Sequence, residues 1–298
     1  MSTSNETTTS FTVNGQTYQT WYRVYGDLST RTRTPLVALH GGPGLVSDYL
    51  VPLQGLATSY DIPVIVYDQI GNGRSSHIRD RADSPSFWSL DLFLDELNNL
   101  LLHLGIQDRF DLWGHSWGGI LSLEYAIRQK STGLKHLILS DSLPSVGLWG
   151  QSSMQLLQKF PEDVQEGMMK GMANPTKYLD ALKKFHAVHG CTVVPMPEEV
   201  VRTLEGAFGE DGDPSVALAL MQPSSWFSTW SAIDRLHQID IPTLVINGAN
   251  DISQDFVVEP MVEKIPGAKW VKFQESSHMP FWEESGKYMR VVADFVEV

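Results

Sequence analysis

Ser116 sits in the run Leu112-Trp113-Gly114-His115-Ser116-Trp117-Gly118-Gly119, a Gly-x-Ser-x-Gly pattern. The run falls where a strand-like apolar stretch (Phe110, Leu112) gives way to a helical one (Ile120, Leu121, Leu123, Tyr125, Ala126). A serine wedged into a sharp strand-to-helix turn takes a strained backbone, and glycines on both sides leave room for the turn. The hydroxyl then projects at the mouth of a sheet, with the amides at the start of the next helix pointing toward it. Such a serine is a poor nucleophile at neutral pH unless a base takes its proton and a third group orients the base. In sheet enzymes with this turn, acid and histidine follow the serine in that order, each just past the end of a strand.

Two downstream positions meet that requirement. Thr243 to Ile246 is followed by Asn247-Gly248-Ala249-Asn250-Asp251, and Trp270 to Phe273 by Gln274-Glu275-Ser276-Ser277-His278. Asp251 is therefore expected to be the orienting acid and His278 the general base and acid. An aspartate after a strand also commonly initiates a turn or caps a helix, and Asp255 is a weaker rival for the acid. Of the nine histidines, His103, His136, His186, His189 and His237 have no motif around them, and His115, inside the turn, is assigned no role. An acyl-transfer site also needs donors for the oxyanion. The amide of Trp117, directly after the serine, is one candidate. The second is Gly42, or Gly41, in the loop His40-Gly41-Gly42-Pro43-Gly44. Neither a Lys-Ser/Thr pair after this loop nor a G-x-G-x-x-G run is present, which argues against phosphate binding. The site calls for no metal and no cofactor.

The elements that must position these residues alternate. Short apolar runs at Leu36–Leu39, Val64–Tyr67, Phe110–Trp113, Leu137–Leu139, Thr243–Ile246 and Trp270–Phe273 read as buried parallel strands. Between them, Leu90, Phe93, Leu94, Leu97, Leu101 and Leu104 mark one face of a helix ending at Gly105. A second helix is expected from Trp282 to Val298, and Asn14-Gly15 predicts a hairpin. The pattern implies an α/β fold, a mostly parallel sheet covered by helices. It lapses over residues 144–240, where helix-like pieces open on Pro161, Pro175, Pro197 and Pro214. That segment is expected to be a helical cap inserted in a core formed by 11–143 and 241–298. The Ser/Thr-rich residues 1–10 are expected to be a disordered tail.

Composition narrows the function further. The net charge of −13, from 35 acidic and 22 basic side chains in 298 residues, repels phosphate backbones and speaks against nucleic acid as a partner. Apolar and charged contents of 42% and 19% suit an ordinary globular enzyme. The one cysteine, Cys191, allows no intrachain disulfide. No apolar run approaches membrane-spanning length and the N-terminus lacks the regions of a signal peptide. A cytoplasmic enzyme with a small-molecule or short-peptide substrate, and neither membrane nor nucleic-acid partner, is expected.

The sequence resembles the prolyl aminopeptidase (proline iminopeptidase) group of the α/β-hydrolase fold family over residues 11 to 297. The resemblance rests on His40-Gly41-Gly42-Pro43-Gly44, on Tyr67-Asp68-Gln69-Ile70-Gly71-Asn72-Gly73-Arg74-Ser75 and on Gly114-His115-Ser116-Trp117-Gly118-Gly119. It implies release of an N-terminal residue, often proline, from short peptides, or hydrolysis of amino-acid amides, with no metal. With Ile70 where bacterial members usually carry arginine, the chain is closer to the subgroup of the tricorn-interacting aminopeptidase and amino-acid amidases. That subgroup anchors the substrate ammonium with a carboxylate directly after the catalytic aspartate and another in the cap. Here Ile252 follows Asp251, and Met221 to Phe227 holds no acid. Glu205, Glu210, Asp211 and Asp213 are the remaining cap acids that could take that place. Ile252 with Trp226 and Phe227 suggests an apolar substrate pocket, and keeps open an esterase, lactonase or amidase acting on a non-peptide molecule with the same triad. A non-catalytic ligand-binding relative is disfavoured, because Ser116, Asp251 and His278 are all in place.

Overall fold

A computed structural model describes residues 4–30 and 32–297. Its elements are β1 (Ser4–Val13), β2 (Gln16–Tyr25), β3 (Leu36–Leu39), α1 (Gln54–Tyr60), β4 (Val64–Tyr67), α2 (Leu90–Leu104), β5 (Phe110–His115), α3 (Trp117–Gln129) and β6 (Leu134–Ser140). Then come α4 (Val146–Leu157), α5 (Glu162–Lys170), α6 (Pro175–His189), α7 (Glu198–Phe208) and α8 (Ser215–Leu220). The chain closes with β7 (Thr243–Gly248), α9 (Asp255–Lys264), β8 (Lys269–Phe273), α10 (Pro280–Glu283) and α11 (Ser285–Val296).

The eight strands form one sheet in the order β1-β2-β4-β3-β5-β6-β7-β8. From β4 to β8 all neighbours are parallel, whereas β1 and β2 join antiparallel at one edge. The inner strands are buried on both faces, and their alternate residues go to opposite sides, as a period of two demands. Val37, Leu39, Ile65 and Tyr67 pack with α2, α3 and α9, while Leu36, Ala38, Val64 and Val66 pack with α1 and α11. Chain order reverses around β3, which has β4 on one side and β5 on the other. The loops leaving β3 and β5 therefore splay apart at their carboxyl ends, which is where a doubly covered sheet opens a ligand crevice. Those loops carry Gly41, Gly42 and Ser116.

Three expectations are corrected. Residues 4–10 are not a disordered tail: they form most of β1, paired residue for residue with β2 from Ser4↔Tyr25 to Val13↔Gln16. The Asn14-Gly15 turn, with φ of 51° and 77°, closes this hairpin and sets its register. Residues 1–3 lie outside the described residues. Strand β8 is a sheet edge, with Trp270 36% exposed, so its residues, Phe273 apart, are not buried like those of the inner strands. The helix expected from Trp282 to Val298 is two helices, broken at Glu284; Val298 lies outside the described residues.

Between β6 and β7 the chain runs through α4 to α8. Helices α5, α7 and α8 start directly after Pro161, Pro197 and Pro214, and α6 starts on Pro175. Their apolar sides form two small clusters, one joined by Ile252 and the other by Leu45. The segment thus rests on the loops at the carboxyl ends of the strands. No helix among the described residues is long and apolar enough to cross a membrane.

Candidate active site

The turn between β5 and α3 is as tight as its glycines imply. A Cβ on Gly118 would lie 2.1 Å from the Leu39 carbonyl oxygen, and one on Gly114 would lie 2.4 Å from that of Gly118. Strand and helix can pack this closely only without those side chains. Ser116 between them takes φ 53° and ψ −119°, a region that costs a non-glycine residue about 1–3 kcal/mol. Its amide donates to the Ser140 carbonyl at 3.2 Å, and its own carbonyl accepts from Gly119 N–H and Ser142 Oγ at 2.9 and 3.0 Å. The strain is therefore held by the sheet on one side and the helix on the other.

Past the end of β7, Asp251 is buried and its Oδ1 accepts from His278 Nδ1 at 2.5 Å and from Ser253 N–H at 2.9 Å. This fixes the proton of a neutral His278 on Nδ1 and frees Nε2 to take a proton. Ser116, His278, Gly41 and Gly42 line one cavity. Asp255 does not compete for the acid role. It opens α9 and is engaged by Lys272 Nζ at 2.7 Å and Asn247 Nδ2 at 3.1 Å. Cys191 is buried away from this cavity, and burial pushes its thiol up to about 11, so it is an inert core residue.

The two glycine candidates separate. Gly41 N–H donates to Tyr49 Oη at 2.6 Å, so the expectation that Gly41 could serve as an oxyanion donor is corrected. Gly42, at φ 133°, has no protein acceptor for its N–H among the described residues. The Trp117 amide opens α3, where the first N–H groups of a helix lack intrahelical partners.

His115, given no role from sequence, belongs to the site. Its Nε2–H donates to the His278 carbonyl at 2.8 Å, and its Nδ1 accepts from Tyr49 Oη at 2.7 Å. A backbone carbonyl can only accept, which settles the tautomer and the direction of the chain from Gly41 through Tyr49 and His115 to His278. Burial, with His278 beside it, holds the His115 imidazole well below its ordinary range, so it stays neutral. The sequence signal was position: His115 is the last strand residue before Ser116. His186 was also missed. It lines the cavity from α6, and burial lowers it to about 3, leaving a neutral imidazole whose Nδ1 has no partner.

The remaining walls are apolar. Trp149 of α4, Tyr178 and Leu182 of α6, Leu204 and Phe208 of α7, and Ile252 surround the Ser116 mouth. Trp226 and Phe227 do not line it, which corrects their assignment to the substrate pocket. Their rings pack on Trp117, with centroids 5.9 and 5.3 Å away, and Trp226 Nε1–H donates to the Trp88 carbonyl. An aromatic pair is better satisfied covering another aromatic under the helix than facing water. None of the acids considered for an ammonium reaches the cavity either. Glu205 pairs with Lys183, Asp213 is held by His77, Arg79 and Ser215, and Glu210 and Asp211 line outer grooves. The cavity wall carries no Asp or Glu side chain. Among the described residues, Asp141, Asp251 and His278 could by donor count hold a cation. His278 Nδ1 is already committed to Asp251, so a cation there would displace the contact that orients the His278 ring.

The comparisons with known proteins bear on the whole chain. The profile of the α/β hydrolase fold matches residues 34–285. A proline iminopeptidase of Clostridioides difficile is 34% identical over 94% of this chain and 94% of that protein. The chain belongs to the α/β-hydrolase fold family, in its proline iminopeptidase group. Another proline iminopeptidase of the group, from Saccharolobus solfataricus, is 34% identical over 94% of this chain and 88% of its own length. Among solved structures, VinJ superposes on this hydrolase with a TM-score of 0.86 at 34% identity, covering 98% of both chains. The proline iminopeptidase of Mycobacterium smegmatis does so at 0.80 and 30%, again over 98% of both.

Proposed function

We propose that this hydrolase is a serine enzyme that releases an N-terminal residue, proline or another small apolar one, from short peptides or amino-acid amides. The observation that carries the reading is the strained Ser116 sharing one cavity with a His278 oriented by Asp251, in a chain whose relatives are proline iminopeptidases. Ser116 Oγ attacks the carbonyl carbon as its proton passes to His278 Nε2, and the oxyanion is held by the amides of Trp117 and Gly42. Collapse breaks the C–N bond, and the proton on Nε2 goes to the departing amine. Water, deprotonated by the same nitrogen, then cleaves the acyl-enzyme and restores Ser116. Asp251 stabilises the imidazolium in both halves. The helical segment 144–240 serves as the cap that shapes the acyl pocket.

A free amine in that pocket meets neutral acceptors only, since the wall offers Tyr178 and His186 and no carboxylate. A buried ammonium without a counter-charge is costly, so the amine binds in its neutral form. The same observation favours, as a second reading, acyl groups with no free amine: esters, lactones or blocked amides. A panel of proline and alanine arylamides, each free and N-acylated, separates the two. Cleavage of the free forms by at least tenfold over the blocked ones is expected; preference for blocked forms or short acyl esters would establish the second reading instead.

A further inference from the structure

Ser116, Asp251 and His278 each follow the end of a strand, and so does a fourth polar residue that the acyl-transfer scheme leaves unused. Asp141 follows β6 at φ 51° and is fully buried. One oxygen of Asp141, one of Asp251 and a ring nitrogen of His278 lie within 4.8 Å of one another. Each carboxyl group has one buried oxygen without a hydrogen-bond partner: Oδ1 of Asp141 and Oδ2 of Asp251. The other two are satisfied. Asp251 Oδ1 accepts from His278 and Ser253, and Asp141 Oδ2 accepts from Ser140 Oγ at 2.6 Å.

The donors behind Asp141 run in one direction. Trp113 Nε1–H can only donate, and it does so to Tyr288 Oη at 2.8 Å. The single proton of Tyr288 then goes to Ser140 Oγ at 2.7 Å, and that of Ser140 to Asp141 Oδ2. The chain therefore delivers no proton to Oδ1 of Asp141. Two ionised carboxylates side by side in a dry interior repel strongly, and two unpaired oxygens each cost a lost hydrogen bond. One proton on Oδ1 removes both penalties.

We propose that Asp141 is a neutral carboxylic acid whose Oδ1–H donates to Asp251 Oδ2, making it a positioning residue that holds the triad carboxylate for His278. The groups facing it are Asp251, His278, Ser140, Ser253, Glu283 and the hydroxyls of Tyr49 and Tyr288. Burial above all, then the Asp251 charge, pushes the Asp141 carboxyl well above its ordinary range, so it keeps its proton at neutral pH. On ionising at alkaline pH it sets a second negative charge against Asp251 and loses the hydrogen bond that orients it.

The kinetic arm of the test rests on the acyl-transfer reading; a spectroscopic arm does not. Asp141→Asn copies the protonated acid, accepting from Ser140 at Oδ1 and donating to Asp251 from Nδ2, and asparagine tolerates a positive φ. Wild-type kcat should fall at alkaline pH. D141N should keep kcat at neutral pH within about threefold of wild type and lack that fall. A D141N profile with the same alkaline fall, or a loss of more than about 100-fold at neutral pH, overturns the proposal. Infrared spectroscopy of the resting proteins supplies a readout independent of substrate. Wild type should show a protonated carboxylic acid band that D141N lacks, over the band of buried Glu96, pushed up to about 8 and common to both at neutral pH. No difference in that band between the two proteins overturns the proposal whatever the activity.

Discussion

Below the Ser116 cavity, the residues are placed by the sheet; above it, they are placed by helix packing, and the two sides differ in how they are held. On the sheet side, Ser116 and Asp251 stand at the ends of strands paired on both sides and His278 follows the edge strand β8, and each is pinned by hydrogen bonds of 2.5 to 3.2 Å. On the side of the helices α4 to α8, Leu182, Leu204 and Phe208 are held by one small apolar cluster, and Trp149 and His186, each with a nitrogen that has no hydrogen-bond partner, line the same cavity. In the proposed reaction, the chemistry that needs sub-ångström placement falls to the rigid side. Selectivity, which depends on shape and on the absence of a counter-charge, sits on the side that sequence change can reshape without disturbing the sheet.

Variants of the sheet side should act on turnover, and the largest effect belongs to the acid. Asp251→Asn should lower kcat by about 10⁴-fold by favouring the wrong imidazole tautomer. Asp255→Asn, which disturbs only Lys272 and Asn247, should stay within about threefold of wild type. Steady-state kinetics of the pair on one arylamide decides which aspartate serves His278. Next comes His115→Leu, which removes the donor to the His278 carbonyl; one hydrogen bond of about 1–1.5 kcal/mol predicts roughly a tenfold fall in kcat with KM unchanged. A change in KM alone would place His115 among the substrate contacts. The smallest effect on turnover is expected from Trp226→Ala. Trp226 covers Trp117 outside the cavity, so kcat/KM should move by less than about threefold while thermal unfolding reports a loss of about 2–3 kcal/mol. A large rise in KM would return Trp226 to the pocket.

The same division governs what the sequence made legible. The strands, the turn at Ser116 and the order Ser116, Asp251, His278 are local patterns: apolar runs of fixed period, glycines at a close approach, polar residues just past a strand. Asp141 obeys that last rule after β6, and applying it to every strand would have brought it forward. His115 carried a weaker signal, because its partner Tyr49 is far away in the chain. Residues 4–10 were misread because a Ser/Thr run looks unstructured until β2 is laid beside it. Trp226 and Phe227 were misread because an aromatic pair facing a pocket and one covering Trp117 have the same sequence. Packing among α4 to α8 is nonlocal, and periodicity says which face of each helix is apolar but not what it meets.

The central claim is that Ser116 is the nucleophile of an acyl-transfer site, and covalent trapping tests it most directly. After treatment with a fluorophosphonate, the intact protein should gain one adduct, mapped to the peptide containing Ser116, with arylamide hydrolysis lost in proportion to labelling. The variant Ser116→Ala should take up no label and turn over substrate at least about 10⁴-fold more slowly. An adduct on another residue, or a fully labelled protein that still hydrolyses its substrate, would contradict the account.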